Sequence, residues 1–253
     1  MSPDAYTQMA RVQSTHWWFV ARREILRSQI SALNLPPKAD ILEVGSGTGA
    51  NLGLLLEFGQ VTGLEMNAEA IELAKSHSAE VRMRVNLLQG TCPKDLPSVH
   101  QTFDLICLFD VLEHIPDDEQ TLAALRLLLK PGGKIMLTVP AHQWMFGPHD
   151  VTLHHQRRYS RSTLQSVCES SQLVVEKISF FNMLLFPLAL AGRCFDILAR
   201  RNESSGSGVP AAPVNRLFKA VFASERHLLR KMPLPAGLSL LLVASNGADV
   251  SNQ

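Results

Sequence analysis

The chain reads as an α/β protein: a doubly wound, mostly parallel sheet with an antiparallel last strand, an N-terminal helical segment and a helical insert before that last strand. Three observations predict it. From Asp40 to Phe180 short apolar runs alternate with helix-patterned segments, as expected of strand–helix–strand units whose helices cover both faces of a sheet. A glycine-rich turn, Gly45-Ser46-Gly47-Thr48-Gly49, stands where the first run gives way to the first of these helices. The alternation stops at residue 181, and one more apolar run, 238–244, follows only after a long interruption.

Each element has its own signal. Residues 5–34 read as one helix, with apolar positions around Trp17, Trp18, Val20, Ile25, Leu26 and Ile30, ended by Pro36-Pro37. Residues 41–44 form the first strand, 51–58 a helix that stops at Gly59, and 61–65 the second strand. A helix over 68–75 has Asn67 as its N-cap. The third strand falls within 81–88, and 103–109 is a buried fourth. A helix over 117–129 carries acids in its first turn, where the helix dipole favours them, and Pro131-Gly132-Gly133 past its end. Then come a strand at 134–139, a helix at 162–170 and a strand at 173–180. The run at 238–244 is expected to return to the sheet edge beside 173–180. The chain thus divides into a helical lid (1–38), a core (39–180 with 237–246) and a helical insert or cap (181–236) of one domain.

With 253 residues, a large core is affordable, and 46% hydrophobic against 19% charged residues is an ordinary globular balance. A net charge of +1 sets up no field toward nucleic acid, which is not expected as a partner. Cys92, Cys107, Cys168 and Cys194 form no CxxC pair, against a zinc site or disulfide framework and in keeping with a reducing, cytoplasmic location. The first ten residues lack the basic and apolar regions of a signal peptide. The longest uncharged apolar stretch, 178–192, is short for a membrane span.

Doubly wound sheets bind ligands beyond the carboxyl ends of their strands, so function is expected just after Val44, Glu65, Phe109 and Val139. The glycine turn opens a helix, and glycines there permit left-handed backbone and close approach of a ligand to free amides. The third glycine comes two residues after the second, not three as in the dinucleotide fingerprint. Glu43 precedes the turn, and Glu65 closes the next strand, where a carboxylate can take both ribose hydroxyls. That last spacing would suit NAD equally.

The run Ile41-Leu42-Glu43-Val44-Gly45-Ser46-Gly47-Thr48-Gly49 resembles motif I of the class I S-adenosylmethionine-dependent methyltransferases, Rossmann-like enzymes. Phe103-Asp104-Leu105-Ile106 with Asp110-Val111-Leu112-Glu113-His114-Ile115 is similar to their fourth-strand segment, and Leu129-Lys130-Pro131-Gly132-Gly133-Lys134 to the turn before their fifth strand. The resemblance implies S-adenosyl-L-methionine as cofactor and methyl transfer as the reaction. It puts the backbone of Gly45, Ser46, Gly47 and Gly49 against the methionine and ribose parts, Glu65 on the ribose and Met66 on the adenine. Phe109 and Asp110, at the end of the fourth strand, join this cofactor set. Where relatives carry Gly-Asp-Ala after the third strand, this chain has Gly90-Thr91-Cys92, so a hydroxyl and backbone groups replace a carboxylate near the adenine. The leading His16-Trp17-Trp18-Phe19 with Arg22-Arg23 resembles the subgroup's first helix. Arg23 could meet the methionine carboxylate, and the two tryptophans are read as core before cofactor cover.

The sulfonium is already activated, so alignment of the acceptor supplies much of the rate. An oxygen or nitrogen acceptor can still require a base. The candidates are His114, His149 and the His154-His155 pair, with Tyr159 in the same loop. Asp-x-x-Glu-His at 110–114 also resembles ubiquinone-pathway O-methyltransferases, where acids and a histidine can hold a divalent ion. Helix-start acids are common without one, so no metal is expected here.

Between Arg193 and Lys231 eight basic side chains face three acidic ones, beside many apolar residues. That pattern suits an acceptor-binding cap, a peripheral membrane contact or a homodimer face, with a small or lipid-linked acceptor. Ser204-Ser205-Gly206-Ser207-Gly208 reads as a flexible linker. Over 214–229, Glu225 falls on the apolar stripe of a helix, so it is expected to be buried with a partner, Arg157 or Arg158. Two rivals to a methyltransferase stay open: a fold-mate with other chemistry, and an interaction protein that works through the insert.

Overall fold

A computed structural model describes residues 3–98, 100–198 and 208–247. Two helices lead, α1 (Pro3–Val12) and α2 (Trp17–Ser31). The single helix expected over 5–34 is broken at 13–16, because His16 turns extended and its ring nitrogen accepts the Trp18 amide, capping a new helix. The sheet follows as β1 (Ala39–Val44), a short α3 (Leu52–Leu55), β2 (Gly59–Glu65), α4 (Ala68–His77), α5 (Ala79–Arg84), β3 (Val85–Gln89) and β4 (Phe103–Phe109). It continues with α6 (Asp118–Arg126), β5 (Leu129–Pro140), a short α7 (Pro148–Thr152), α8 (Arg161–Ser170), β6 (Leu173–Phe181), α9 (Phe186–Leu198), α10 (Ala212–Leu229) and β7 (Ser239–Asn246). The first half of the expected third strand is therefore α5, started by Ser78, whose hydroxyl accepts the Val81 amide.

The seven strands lie in the order β3-β2-β1-β4-β5-β7-β6. The pairs from β3 through β5 are all parallel, and β7 alone is reversed, antiparallel to both neighbours. The last strand is thus not at the edge: it is inserted between β5 and β6. Its residues 239–244 are buried, and an apolar run on both faces is what an interior strand requires.

One face of the sheet is covered by α2, α3 and α10, with Ile25, Leu26, Leu55, Phe222 and Leu229 in the core. The other is covered by α6 and α8 through Leu122, Leu125, Leu164 and Cys168. Each such fully buried side chain contributes about 1.5–3 kcal/mol of apolar transfer. Half of the insert, α10, is therefore a core helix lying on α2. Trp17 packs edge-on against Phe218 and Phe222, Asn215 accepts the Trp17 amide at 2.9 Å, and Glu24 pairs with both Lys219 and Arg226. Ser204 to Ser207 of the expected linker lie outside the described residues.

Glu225 is fully buried, as its place on the stripe demands, but the expected arginine partner is not there. Its two carboxylate oxygens accept the amides of Asn182 (2.7 Å) and Leu184 (2.9 Å), at the left-handed turn between β6 and α9. Arg157 pairs with Asp118 and Arg158 with Asp150. A tight turn with free amides satisfies a buried carboxylate without importing a second charge.

Candidate active site

The carboxyl ends of β1, β2, β4 and β5 converge on one rim. Val44 passes into Gly45, which has φ +68° and donates its amide to Leu64 O at 2.7 Å. A Cβ there would stand 2.6 Å from Val111 Cγ2, so this turn requires glycine. Gly47, also left-handed, gives its amide to Glu65 Oε2 at 2.8 Å, and Asn67 gives its own to Glu65 Oε1 at 2.9 Å. The Glu65 carboxylate therefore lies between the glycine turn and the start of α4, under the Tyr6 hydroxyl at 3.4 Å. Met66 beside it is exposed. Gly49 and the buried Ser46 complete the turn, and Gln13 ties α1 to it through the Thr48 hydroxyl at 2.7 Å. Behind it Glu43 is buried with one hydrogen bond, from Asn51; burial raises its pKa to about 8 against that bond.

Next to β3 a carboxylate from further along the chain meets Thr91. Asp95 folds back so that one oxygen accepts both the amide (2.9 Å) and the hydroxyl (2.6 Å) of Thr91, beside half-buried Cys92. The motif comparison at 90–92 missed it because the residue comes four positions late.

At the end of β4, Asp110 has φ +57° and pairs with Arg22 at 2.6 Å. The same guanidinium donates to Thr138 at 2.7 Å and lies over the rings of Trp18 and Phe109. Arg22 is 5% exposed, and its Nε has no partner. Arg23, the arginine expected here, points elsewhere and donates to Gln13 O. Adjacent residues on a helix diverge by about 100°, so only one of the two can face the rim.

The loop after β5 completes the site. Asp150 is fully buried and accepts from His155 Nδ1 (2.8 Å), Arg158 Nε (2.8 Å) and the Gly147 amide (2.9 Å). Burial pushes its pKa up, but these three donors outweigh it and hold Asp150 below the usual carboxylate range. The His155 ring meets His114 edge-on at 4.7 Å. Burial, then the neighbouring His155, lower His114 to about 4, so its imidazole is neutral at pH 7. Beneath them Glu113 is fully buried, and neither carboxylate oxygen has a hydrogen-bond partner. Burial, then Asp110, push its pKa well above the ordinary value.

Ligand atoms of Glu113, His114 and His155 lie within 4.8 Å of one another. One unpartnered carboxylate and two imidazoles suit a zinc-like or other transition-metal ion better than magnesium. The Asp150 hydrogen bond on His155 Nδ1 is the usual outer-shell support for a ligating imidazole. These three residues thus form a group that could hold such an ion.

Of the other expected bases, His149 and His154 are both exposed, and neither belongs to this group of three. Tyr159 is corrected outright: its hydroxyl is buried and donates to Asp118 at 2.6 Å. Burial and Asp118 raise its pKa far above the ordinary value, so it is a structural pin. Trp144 is 61% exposed on the same loop, while His142 is stacked between Phe180 and Phe186.

The chain is similar to known proteins over much of its length. Residues 17–178 match the Methyltransferase domain family. A ubiquinone biosynthesis O-methyltransferase of Saccharophagus degradans is 35% identical over 99 residues, 39% of this chain and 42% of that protein. The match thus spans about two-fifths of the length of such curated relatives. A Haloferax volcanii protein assigned as a methyltransferase, solved with the Trm112 methyltransferase activator, superposes with TM-score 0.59 at 18% identity over 96% of this chain and 95% of that one. Phosphoethanolamine N-methyltransferase 2 of Haemonchus contortus, solved with S-adenosyl-L-methionine, gives 0.54 at 16% identity over 85% of this chain and 50% of that one.

Proposed function

The chain belongs to the methyltransferase-domain family, and on that premise we propose that it takes S-adenosyl-L-methionine as cofactor and methylates an oxygen of a small or lipid-linked acceptor. The observation that carries this reading is the Asp150–His155 pair beside His114 and Glu113 at the rim. Asp150 holds the proton on His155 Nδ1, leaving Nε2 as a lone pair available to a hydroxyl. The acceptor O–H proton passes to Nε2, the oxygen forms the new bond to the methyl carbon, and the sulfur–methyl bond breaks to give S-adenosylhomocysteine.

Cofactor contacts follow from the same rim. Glu65 takes the ribose hydroxyls, Met66 covers the adenine, and Asp95 with Thr91 faces its amine. Gly45 and Gly47 lie along the methionine part. Arg22, with Nε uncommitted, meets the methionine carboxylate, and α1 acts as the lid over them. A second reading of the acceptor end rests on the unpartnered oxygens of Glu113. A divalent ion held by Glu113, His114 and His155 would supply Lewis-acid ionisation of the acceptor hydroxyl.

The test is a pair of variants. His155→Ala should lower kcat about 100-fold or more with cofactor affinity kept, and Glu65→Ala should weaken cofactor binding by ~1.5–3 kcal/mol. Full turnover by His155→Ala on the true acceptor would remove the base. Dialysis against a chelator, with zinc or manganese added back under calorimetry, separates the second reading. Binding that disappears in Glu113→Gln would support the ion.

A further inference from the structure

Both helices of the insert show apolar side chains on their outward sides. At their root they are held firmly: Glu225 grips the turn at 182–184, and Phe186 stacks on His142. Beyond the root α9 exposes Leu188. The outer side of α10 shows Val214, Leu217 and Leu228 to solvent. These helices lie beyond the residues that match the family, so nothing in that match assigns them a role.

On α10 and the two residues just past it, the exposed ionic side chains have one sign. Arg216, Arg230 and Lys231 are exposed and have no ion-pair partner among the described residues. Lys219 and Arg226 are used inward, on Glu24. From 204 to 247 the only acidic residue is Glu225, and it is buried with its carboxylate turned toward backbone amides. The side of α10 that shows leucines and cations, with the helix's one carboxylate buried, is complementary to a negatively charged, apolar-cored layer. No described helix is long and apolar enough to cross a membrane, so contact would be along the surface.

We propose that the outer face of α9 and α10 docks on the surface of an anionic lipid bilayer. The leucines enter the boundary between headgroups and acyl chains, and Arg216, Arg230 and Lys231 meet the lipid phosphates. Docking anchors the root of the insert beside the loop after β5, so an acceptor with an acyl or prenyl tail could be reached without leaving the membrane.

The experiment is vesicle flotation of the full chain with phosphatidylcholine alone and with phosphatidylcholine mixed with phosphatidylglycerol. The expected result is binding to the mixed vesicles only, weakened by added salt. Leu188→Glu with Leu217→Glu should lower that binding at least about tenfold, and so should Arg216→Glu with Arg230→Glu and Lys231→Glu. All five positions are at the surface, and unchanged cofactor affinity verifies the fold of both variants. Failure of the wild-type chain to float with mixed vesicles, or flotation of the variants equal to wild type, would overturn the proposal. So would light scattering that shows a dimer abolished by Leu217→Glu, which would make a second copy the occupant.

Discussion

Glu225 in the insert and Glu113 at the rim are the same residue in the same degree of burial, yet their surroundings are opposite. Glu225 accepts two backbone amides from the β6–α9 turn, and those amides need it as much as it needs them. Glu113 has no donor for either oxygen. A buried carboxylate costs several kcal/mol unless its oxygens are satisfied. The first is therefore explained by the fold alone. The second is a cost that folding does not recover, and such costs are held where chemistry uses them. Partner accounting, more than burial, separates these two carboxylates.

Three substitutions can break or sharpen that contrast. Glu225→Ala leaves two amides in the turn without acceptors, so denaturant unfolding should show a loss of ~3–5 kcal/mol. A loss under about 1 kcal/mol would mean that water takes over, and the clamp would be no clamp.

Glu43 stands between the two cases, with one donor from Asn51. Its folded pKa is raised from 4.5 to about 8. Its contribution to stability is complete below pH 4.5 and is lost as pH rises through 8, because the folded state holds the proton that the unfolded state releases. A tenfold difference in proton affinity is worth ~1.4 kcal/mol, so wild type should lose on the order of a few kcal/mol across that window relative to Glu43→Gln. Parallel stability curves for the two proteins would show that Glu43 is ionised when folded.

The smallest effect is expected at Glu113. Glu113→Gln should change stability by no more than about 1 kcal/mol, since no hydrogen bond is lost, while turnover falls. A destabilisation as large as that of Glu225→Ala would make Glu113 a structural residue after all.

Features encoded by neighbours in sequence were legible before the fold was known. The glycine turn, Glu65 and the strand–helix alternation need only a few consecutive residues. The burial of Glu225 followed from helical phase, but its partners did not, because free amides at 182 and 184 leave no mark in composition. Phase also decided between Arg22 and Arg23, where an error of one residue turns the side chain by about 100°. His155 was legible only as a neighbour of His154. What distinguishes it is the hydrogen bond to Asp150, made by a loop with no periodic pattern. Asp95 escaped because a turn carries it back onto Thr91 from four residues further along. The burial of β7 in the sheet interior was readable in its unbroken apolar run, had both faces been weighed.

The position of β7 has a bearing on how the protein is made. Among the described residues β6 has no strand neighbour except β7, and β5 has no other on that side. As the chain leaves the ribosome, residues 129–140 and 173–181 must wait with open edges until 239–246 arrives to join them. During that interval the nascent sheet offers two unpaired strand edges to any passing chain. Premature termination before Ser239 would freeze that state, so even a short truncation should yield aggregated material and not a slightly weakened enzyme.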